Sequence, residues 1–149
     1  MNYAEKIGLY YGEPQLEDLL SKLNISAKPK LKRGDDTTYL SSHELGVELT
    51  FEDADSLSQP RREYPDGALV LSNIRFYGVP TGLFSAFKGT LPRGIQFGTK
   101  RQELISALGE PDWAAPSGRK FRWEKDIVWL LISMSDRDEA EIVSLQHPS

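Results

Sequence analysis

The sequence predicts an α+β protein in which a helix followed by a three-stranded antiparallel meander occurs twice. Two segments have apolar residues at helical spacing, and several others alternate apolar and polar residues as half-buried strands do. The two halves of the chain show these segments in the same order. With 149 residues, the chain can form one domain or two small units that share a core. We expect repeats at 1–77 and 93–149 to pack as one compact unit, with a packed linker at 78–92.

The first helix is predicted to begin shortly after Gly12. Pro14 suits a first helical turn, where a backbone N–H is not needed. The apolar face of this helix has the spacing i, i+3, i+4, i+7 and consists of Leu16, Leu19, Leu20 and Leu23. Asn24 can adopt the left-handed conformation that ends a helix. Residues 7–11 ahead of it indicate either a short apolar strand or an extended lead-in.

Three strands are predicted to complete the first repeat, at 38–40, 45–51 and 68–77. A turn at 41–44 separates the first two strands, and a long polar loop at 52–67 precedes the third. The second strand alternates regularly, and its apolar side consists of Leu45, Val47, Leu49 and Phe51. In the third strand the alternation breaks near Ser72 and Asn73, which indicates a β-bulge.

The second helix has the most complete local signal in the chain. Ile95 and Phe97 suggest a short strand ahead of it, and Thr99 with Gln102 predicts a capping box. Gly109 suits the left-handed end of the helix. The predicted apolar face consists of Leu104, Ile105 and Leu108.

Three further strands are predicted at 121–123, 127–134 and 140–145, which completes the second meander. Trp129 is out of phase with its apolar neighbours Val128 and Leu130. Because successive side chains of a strand point to opposite faces, Trp129 is expected on the sheet face away from its neighbours. It is the aromatic residue best placed for a protein interface, where Trp and Tyr are enriched.

An alignment of the two halves makes the repeat explicit. Gly8 pairs with Gly94 ahead of the helices, and the strand 45–53 pairs with 128–136 at one constant offset. In the last strands, the alignment places Ile74 on Ile142.

The second half also contains a longer motif, G-I-x-F-G-T-x-x-x-E-L-I-x-x-L-G-x-P, which begins at Gly94. Trp123 before a turn and an apolar strand ending at Asp136 follow the motif. This pattern resembles the SmpA/OmlA (BamE-like) domain, which occurs in tandem in proteins similar to the beta-lactamase inhibitor protein. The lipoprotein signal and cysteine of the membrane-associated members are absent from the sequence. The resemblance implies a small protein-binding module, and tandem cytoplasmic versions resemble the immunity proteins of bacterial toxin systems.

The composition excludes several functional classes. The formal net charge of −4 and a pI near 5.2 provide no basic surface for nucleic acid. The chain has no cysteine, which excludes disulfides and thiolate metal ligands. Its first residues do not have the pattern of a signal peptide, and no apolar run reaches the roughly 18 residues of a membrane span. We therefore expect a cytoplasmic protein without cofactor or membrane partner.

No catalytic constellation is present in the sequence. His43 lies in a predicted turn and His147 near the end of the sequence, so both are expected to be ordinary surface histidines without metal. Ser42, His43 and Glu44 have the residue types of a triad, but adjacent residues cannot adopt its geometry. We therefore predict that the protein is not an enzyme.

The function predicted from the sequence is that of a non-catalytic protein-binding module. The preferred interpretation is an immunity or inhibitor protein that neutralises a cognate bacterial toxin by occlusion. Trp129 and Tyr64 are the predicted aromatic anchors. Acidic side chains are predicted to attract a basic, nuclease-type partner and speed its association, and they are Asp35, Asp36, Glu52, Asp53 and Asp55. The alternatives are an assembly or scaffold protein, and a small-ligand or enzyme site formed between the repeats.

Overall fold

The fold is built on a seven-stranded antiparallel sheet and two α-helices. A computed structural model describes all 149 residues. The helices are α1 (Pro14–Lys22) and α2 (Arg101–Leu108). The strands are β1 (Thr37–Ser42), β2 (Val47–Asp53), β3 (Leu69–Tyr77), β4 (Trp113–Ala114), β5 (Lys120–Trp123), β6 (Trp129–Met134) and β7 (Ala140–Gln146). Short 3₁₀ turns lie at Tyr3–Lys6, Ala54–Ser56 and Pro92–Gly94. The predicted α+β class is confirmed.

The strands are ordered β1-β2-β3-β7-β6-β5-β4 across the sheet. The pairing of β3 with β7 joins the strands of the two halves of the chain, and it runs from Asn73 opposite Gln146 to Tyr77 opposite Ile142. One continuous hydrophobic core of 25 buried residues includes side chains from both halves.

Helix α1 forms as its sequence predicts. Pro14 occupies its first position, and Asn24 has a φ of 58°, so the left-handed stop is confirmed. All four residues of its predicted apolar face are buried: Leu16, Leu19, Leu20 and Leu23. Because buried leucines recur on each turn, packing against the sheet supports a helix that at nine residues is too short to be stable alone.

Helix α2 begins differently from the prediction. Its N-cap is Lys100, which makes no side-chain capping bond, and the Thr99 hydroxyl donates instead to the Gln96 carbonyl at 2.7 Å. The predicted capping box is therefore wrong. The helix ends at Leu108, and Gly109 follows it with a positive φ of 85°, but its ψ of 179° lies outside the left-handed helical region that was expected. Of the predicted apolar face only Leu104 is buried.

The short strand predicted at Ile95 and Phe97 does not form. The chain instead approaches β7 only at Gly98 and Thr99, which exchange hydrogen bonds of 2.9 Å with Ala140. From Ile142 onward, β3 occupies that side of β7, so no room remains for a longer strand. Residues 7–11 also form no regular strand. They are an extended lead-in with a single bridge between Tyr10 and Val70.

Strands β2 and β6 begin two residues later than predicted, and β3 begins one residue later, at Leu69. Leu45 lies in the turn between β1 and β2, where the Gly46 N–H donates to the Ser42 carbonyl at 2.9 Å, and β2 begins at Val47. Likewise β6 begins at Trp129 because the preceding turn extends to Val128.

The bulge predicted near Ser72 and Asn73 is confirmed. The β2–β3 register shifts between Thr50 and Phe51, which leaves Ser72 without an opposite residue. A second shift lies between Ser133 and Met134 in β6, opposite β7.

The two faces of the sheet have different environments. The helices and part of the 78–92 linker cover one face, where Phe87 and Leu91 of the linker join the core while Leu83 remains 80% exposed. The opposite face has no helix over it and consists mainly of polar and partly exposed side chains. Neither helix has the length and apolar character needed to cross a membrane.

Candidate functional site

The uncovered face of the sheet, called the open face below, is organised in two rows of side chains that run across the strands. The strand registers place directly opposite one another, from β1 to β6, Tyr39, Thr50, Asn73, Gln146 and Trp129. The second row extends to the far edge of the sheet and consists of Ser41, Glu48, Arg75, Ser144, Leu131, Arg122 and Trp113. The alternating faces of each strand thus bring residues from distant parts of the sequence onto one surface.

A tryptophan–arginine stack, formed by Trp113, Arg122 and Trp129, occupies one end of this face. The Arg122 guanidinium carbon lies 4.8 Å from the ring centre of each tryptophan. Its Nε donates to the Glu124 carboxylate at 2.8 Å, so its charge is paired. Trp129 lies on the face opposite the buried Leu130, as the alternation predicted. Trp113 and Arg122 were not among the predicted site residues, although Arg122 alternates with the core residues of β5.

A central cavity of about 490 Å³ lies on the same face, around β3. Its lining is mostly polar and includes Tyr39, Glu48, Thr50, Glu52, Asn73, Arg75, Gln146 and His147. Three buried polar atoms of this lining have no hydrogen-bond partner, namely Asn73 Oδ1, Arg75 Nε and His147 Nε2. His147 is only 5% exposed, so its expected surface position is wrong. His43 is exposed, and its ring contacts that of Phe84 with centres 4.6 Å apart.

The five predicted acidic residues come together at one corner of the sheet, where β1 begins and β2 ends. The Asp53 N–H donates to the Asp36 carbonyl at 2.9 Å, and Thr37 lies opposite Glu52. The Asp55 N–H donates to Asp53 Oδ1 at 3.1 Å. We call this group the acidic corner, and it consists of Asp35, Asp36, Glu52, Asp53 and Asp55. None of the five is in a salt bridge.

Two arginines of the neighbouring loop bond to the N-terminal segment of the chain and to none of these five carboxylates. Arg61 donates to the Ile7 carbonyl at 2.6 Å, and Arg62 pairs with Glu13 at 2.8 Å. The loop thus directs its positive charge toward the N-terminal segment.

Tyr64, the second predicted anchor, has an internal role. Its hydroxyl donates to the Gly8 carbonyl at 2.6 Å, and its ring meets that of Tyr10 edge-on with centres 6.2 Å apart. Burial raises the pKa of Tyr64 above its ordinary value of 10.0, and the nearby guanidinium groups of Arg62 and Arg61 partly offset this rise. Its role as a partner anchor stays a prediction.

A second concave region, the N-terminal cleft, has a volume of about 860 Å³. It lies between the first residues of the chain, the end of the linker and the turn before β6. Leu91, Val128 and Leu145 provide apolar lining, and an ion pair between Arg93 and Asp126 lies at the same cleft.

No group of three or more His, Asp and Glu side chains is arranged to hold a metal ion. Comparisons of the chain with protein-family models, with curated proteins and with solved structures found no match.

Proposed function

We propose that the protein is a non-catalytic binding module that contacts another protein through its open face. The observation that carries this proposal is the tryptophan–arginine stack on a sheet face without a covering helix. Trp, Tyr and Arg are the residue types most enriched among the energetic hot spots of protein interfaces. The stack is also held in place, because Arg122 is fixed by Glu124 on one side and by two rings. A pre-ordered anchor loses little conformational entropy on binding.

We further propose that the partner is a bacterial toxin and that the protein is its cytoplasmic immunity protein, acting by occlusion. The resemblance to tandem BamE-like proteins supports this role. The acidic corner adds support, since five carboxylates without ion pairs would attract a basic, nuclease-type partner. The basic residues Lys32 and Arg33 lie close by in the sequence and would weaken this attraction.

The tandem-repeat architecture belongs to the same proposal. Three features support it: the last strands of the two halves meet at the centre of the sheet, and each meander has a bulge at the same position in the aligned second strand. In addition, Gly8 bonds to Leu71 in the first half as Gly98 bonds to Ala140 in the second. These bonds favour an alignment of Gly8 with Gly98 rather than with Gly94.

The strand registers also favour a changed alignment in the last strands. Ile74 lies opposite Leu49, whereas Val143 lies opposite Ile132, the aligned partner of Leu49. Ile74 therefore aligns with Val143 rather than with Ile142. The sequence alignment is therefore one residue out of register in the last strands.

The test uses the purified protein and the toxin candidate encoded next to its gene. Trp129→Ala should raise the Kd about 30-fold, mainly through faster dissociation, because a hot-spot residue contributes about 2 kcal/mol. Leu83→Ala removes an exposed apolar side chain outside the open face and is the matched control. A triple reversal of Glu52, Asp53 and Asp55 to Lys should slow association several-fold at low salt, with a smaller effect at high salt.

Thermal unfolding of each variant separates loss of binding from loss of folding. An unchanged Kd for a folded Trp129→Ala variant would remove the open face as the binding surface. If the complex forms but the toxin keeps its activity, the protein is a scaffold or assembly protein instead.

A small-ligand site is the remaining alternative, and the N-terminal cleft favours it because its size is typical of ligand pockets. This alternative predicts that a substitution at the exposed side of the cleft, Ile127→Asp, weakens ligand binding without affecting association with a protein partner.

A further inference from the structure

We propose that strand β1 pairs along its outer edge with an extended segment of the protein partner, which adds a further strand to the sheet. The inference rests on the proposed function, since it assumes that a protein binds at the open face. It goes beyond that function by naming the backbone groups that make the contact and the side chains that the partner segment carries. In this mode of binding, backbone hydrogen bonds supply affinity and alternate side chains supply specificity.

Three residues of β1 direct their backbone N–H and C=O groups away from the sheet. The Asp53 N–H donates to the Asp36 carbonyl at 2.9 Å, so Asp36 faces β2. Backbone direction alternates from residue to residue along an antiparallel strand, and every second residue after Asp36 therefore also faces β2. The residues between them, Thr37, Tyr39 and Ser41, face outward. Because β1 is the outermost strand, no other strand bonds to these three residues, and neither does the backbone of any loop.

The two edges of the sheet differ in their protection against strand addition. Natural proteins protect an exposed edge with a very short strand, prolines, charged side chains or bulges. Strand β4 has only two residues, with Pro111 two residues before it and Pro116 two residues after it. Strand β1 has six residues, TTYLSS, without a proline, a charged side chain or a register shift. The β1 edge therefore retains the features that allow another strand to pair with it.

The side chains at this edge specify the chemistry of the partner segment. Tyr39 lies on the open face and is 58% exposed, and aromatic or β-branched residues pair favourably across strands with tyrosine. Two residues further along, the added strand has a residue opposite Thr37, beyond which Glu52 lies on β2. Glu52 has no ion-pair partner, and the short Thr37 side chain does not screen it. An arginine or lysine opposite Thr37 can therefore reach the Glu52 carboxylate.

The same position distinguishes a partner from a second copy of the chain. Two copies joined antiparallel with Tyr39 opposite Tyr39 would place Ser41 of one copy opposite Thr37 of the other, where it cannot neutralise Glu52. The loop ahead of β1 contains basic residues, but it leaves helix α1 on the covered face, where the Ser42 hydroxyl donates to the Leu23 carbonyl at 2.8 Å. A basic extended segment of another protein thus fits the edge better than this chain does.

The first measurement is amide hydrogen exchange in the isotope-labelled full chain, followed by NMR. The amides of Thr37, Tyr39 and Ser41 should exchange rapidly in the free protein. The amides of Thr38 and Leu40, which face β2, should exchange at least about 10-fold more slowly. This comparison tests the free edge within one strand, so a difference in overall stability does not affect it.

The second measurement uses the peptide acetyl-Thr-Val-Thr-Phe-Thr-Arg-Thr-amide as the probe. In an antiparallel arrangement its phenylalanine pairs with Tyr39 and its arginine with Thr37. The peptide should shift the signals of Thr37, Tyr39 and Ser41 in a saturable way, with a Kd of about 1 mM, and should slow exchange of their amides. Glu52→Gln should weaken peptide binding about 2–5-fold, whereas Glu103→Gln, the same change on the exposed surface of α2, should not.

Two methylated forms of the peptide provide a matched control for backbone pairing. Methylation of the amide nitrogens of the phenylalanine and the arginine should remove binding, because these N–H groups face β1. Methylation of the two threonine nitrogens on either side of the phenylalanine should weaken binding far less, because these groups face away from β1.

Four results would overturn the proposal. Slow exchange of the three outward amides in the free protein would show that the edge is already covered, and the absence of saturable shifts up to about 10 mM peptide would show that it accepts no strand. Equal effects of the two methylation patterns would exclude backbone pairing. Protection of the same amides in a dimer that forms as the protein is concentrated would make the occupant a second copy. Each result leaves the proposed function intact if Trp129→Ala still weakens partner binding, so the two failures are distinguishable.

Discussion

Replacement of Gly46 by alanine tests how the linker packs on the sheet. Gly46 lies in the turn between β1 and β2, and its φ of 75° is unfavourable for any residue with a Cβ. An added Cβ would lie 2.7 Å from the backbone nitrogen of Phe87 and would overlap the Ser85 carbonyl oxygen. The Gly46 carbonyl also accepts a 3.0 Å bond from the Tyr77 N–H, so the turn cannot move away freely.

The expected cost has two parts. The positive φ costs about 1–2 kcal/mol for alanine. Because the overlap is with backbone rather than with a flexible side chain, displacing the linker adds a packing cost of about 1–3 kcal/mol. Gly46→Ala should therefore lower the free energy of unfolding by about 2–5 kcal/mol.

Gly34→Ala is the matched control. Gly34 has a φ of 88°, and nothing lies within 4 Å of an added Cβ, so only the backbone cost applies. Urea unfolding of both variants gives the comparison, and unchanged m-values would show that the denatured states are comparable. Equal losses of stability in the two variants would refute the close contact between the β1–β2 turn and residues 85–87.

Three further predictions concern the core, the joined sheet and a buried tyrosine. Leu19→Ala should lower the free energy of unfolding by about 2–5 kcal/mol because Leu19 is fully buried. Leu108→Ala should lower it clearly less because Leu108 is only partly buried. Urea midpoints that rank the two variants in reverse would contradict the packing of the two helices. A fragment ending at Gly89 and one beginning there should both lack a cooperative thermal transition, since separation breaks the β3–β7 pairing and exposes the shared core. If each fragment unfolds in its own cooperative transition, the two halves fold independently. Tyr64→Phe should cost about 1 kcal/mol at neutral pH by removing the bond to Gly8. Because the pKa of Tyr64 is raised in the folded state, its neutral form is favoured there and the free energy of unfolding should fall as pH rises above 10.0. Urea midpoints measured across this pH range should fall less for Tyr64→Phe than for the unchanged protein. An identical pH dependence of the two midpoints would rule out this contribution.

Local sequence signals determined much of the secondary structure. Pro14 and Asn24 bound the first helix because each restricts its own backbone, and the leucine spacing between them defines the buried face. Strand alternation likewise predicted that Trp129 lies opposite Leu130, and the broken alternation at Ser72 predicted the bulge. These features depend on intrinsic conformational preferences and on the two-residue period of a strand, which are both readable from a single segment.

Tertiary structure decided the limits of the strands and the composition of the open face. Residues 95–97 have strand-like composition but form no strand, because β3 occupies the side of β7 that they would pair with. The pairing of Arg122 with two tryptophans and the unpartnered buried atoms of Asn73 and His147 depend on strand order and register across the sheet. Hydrogen-bond partners in a sheet come from distant parts of the chain, so no local pattern in the sequence specifies which side chains meet on its surface.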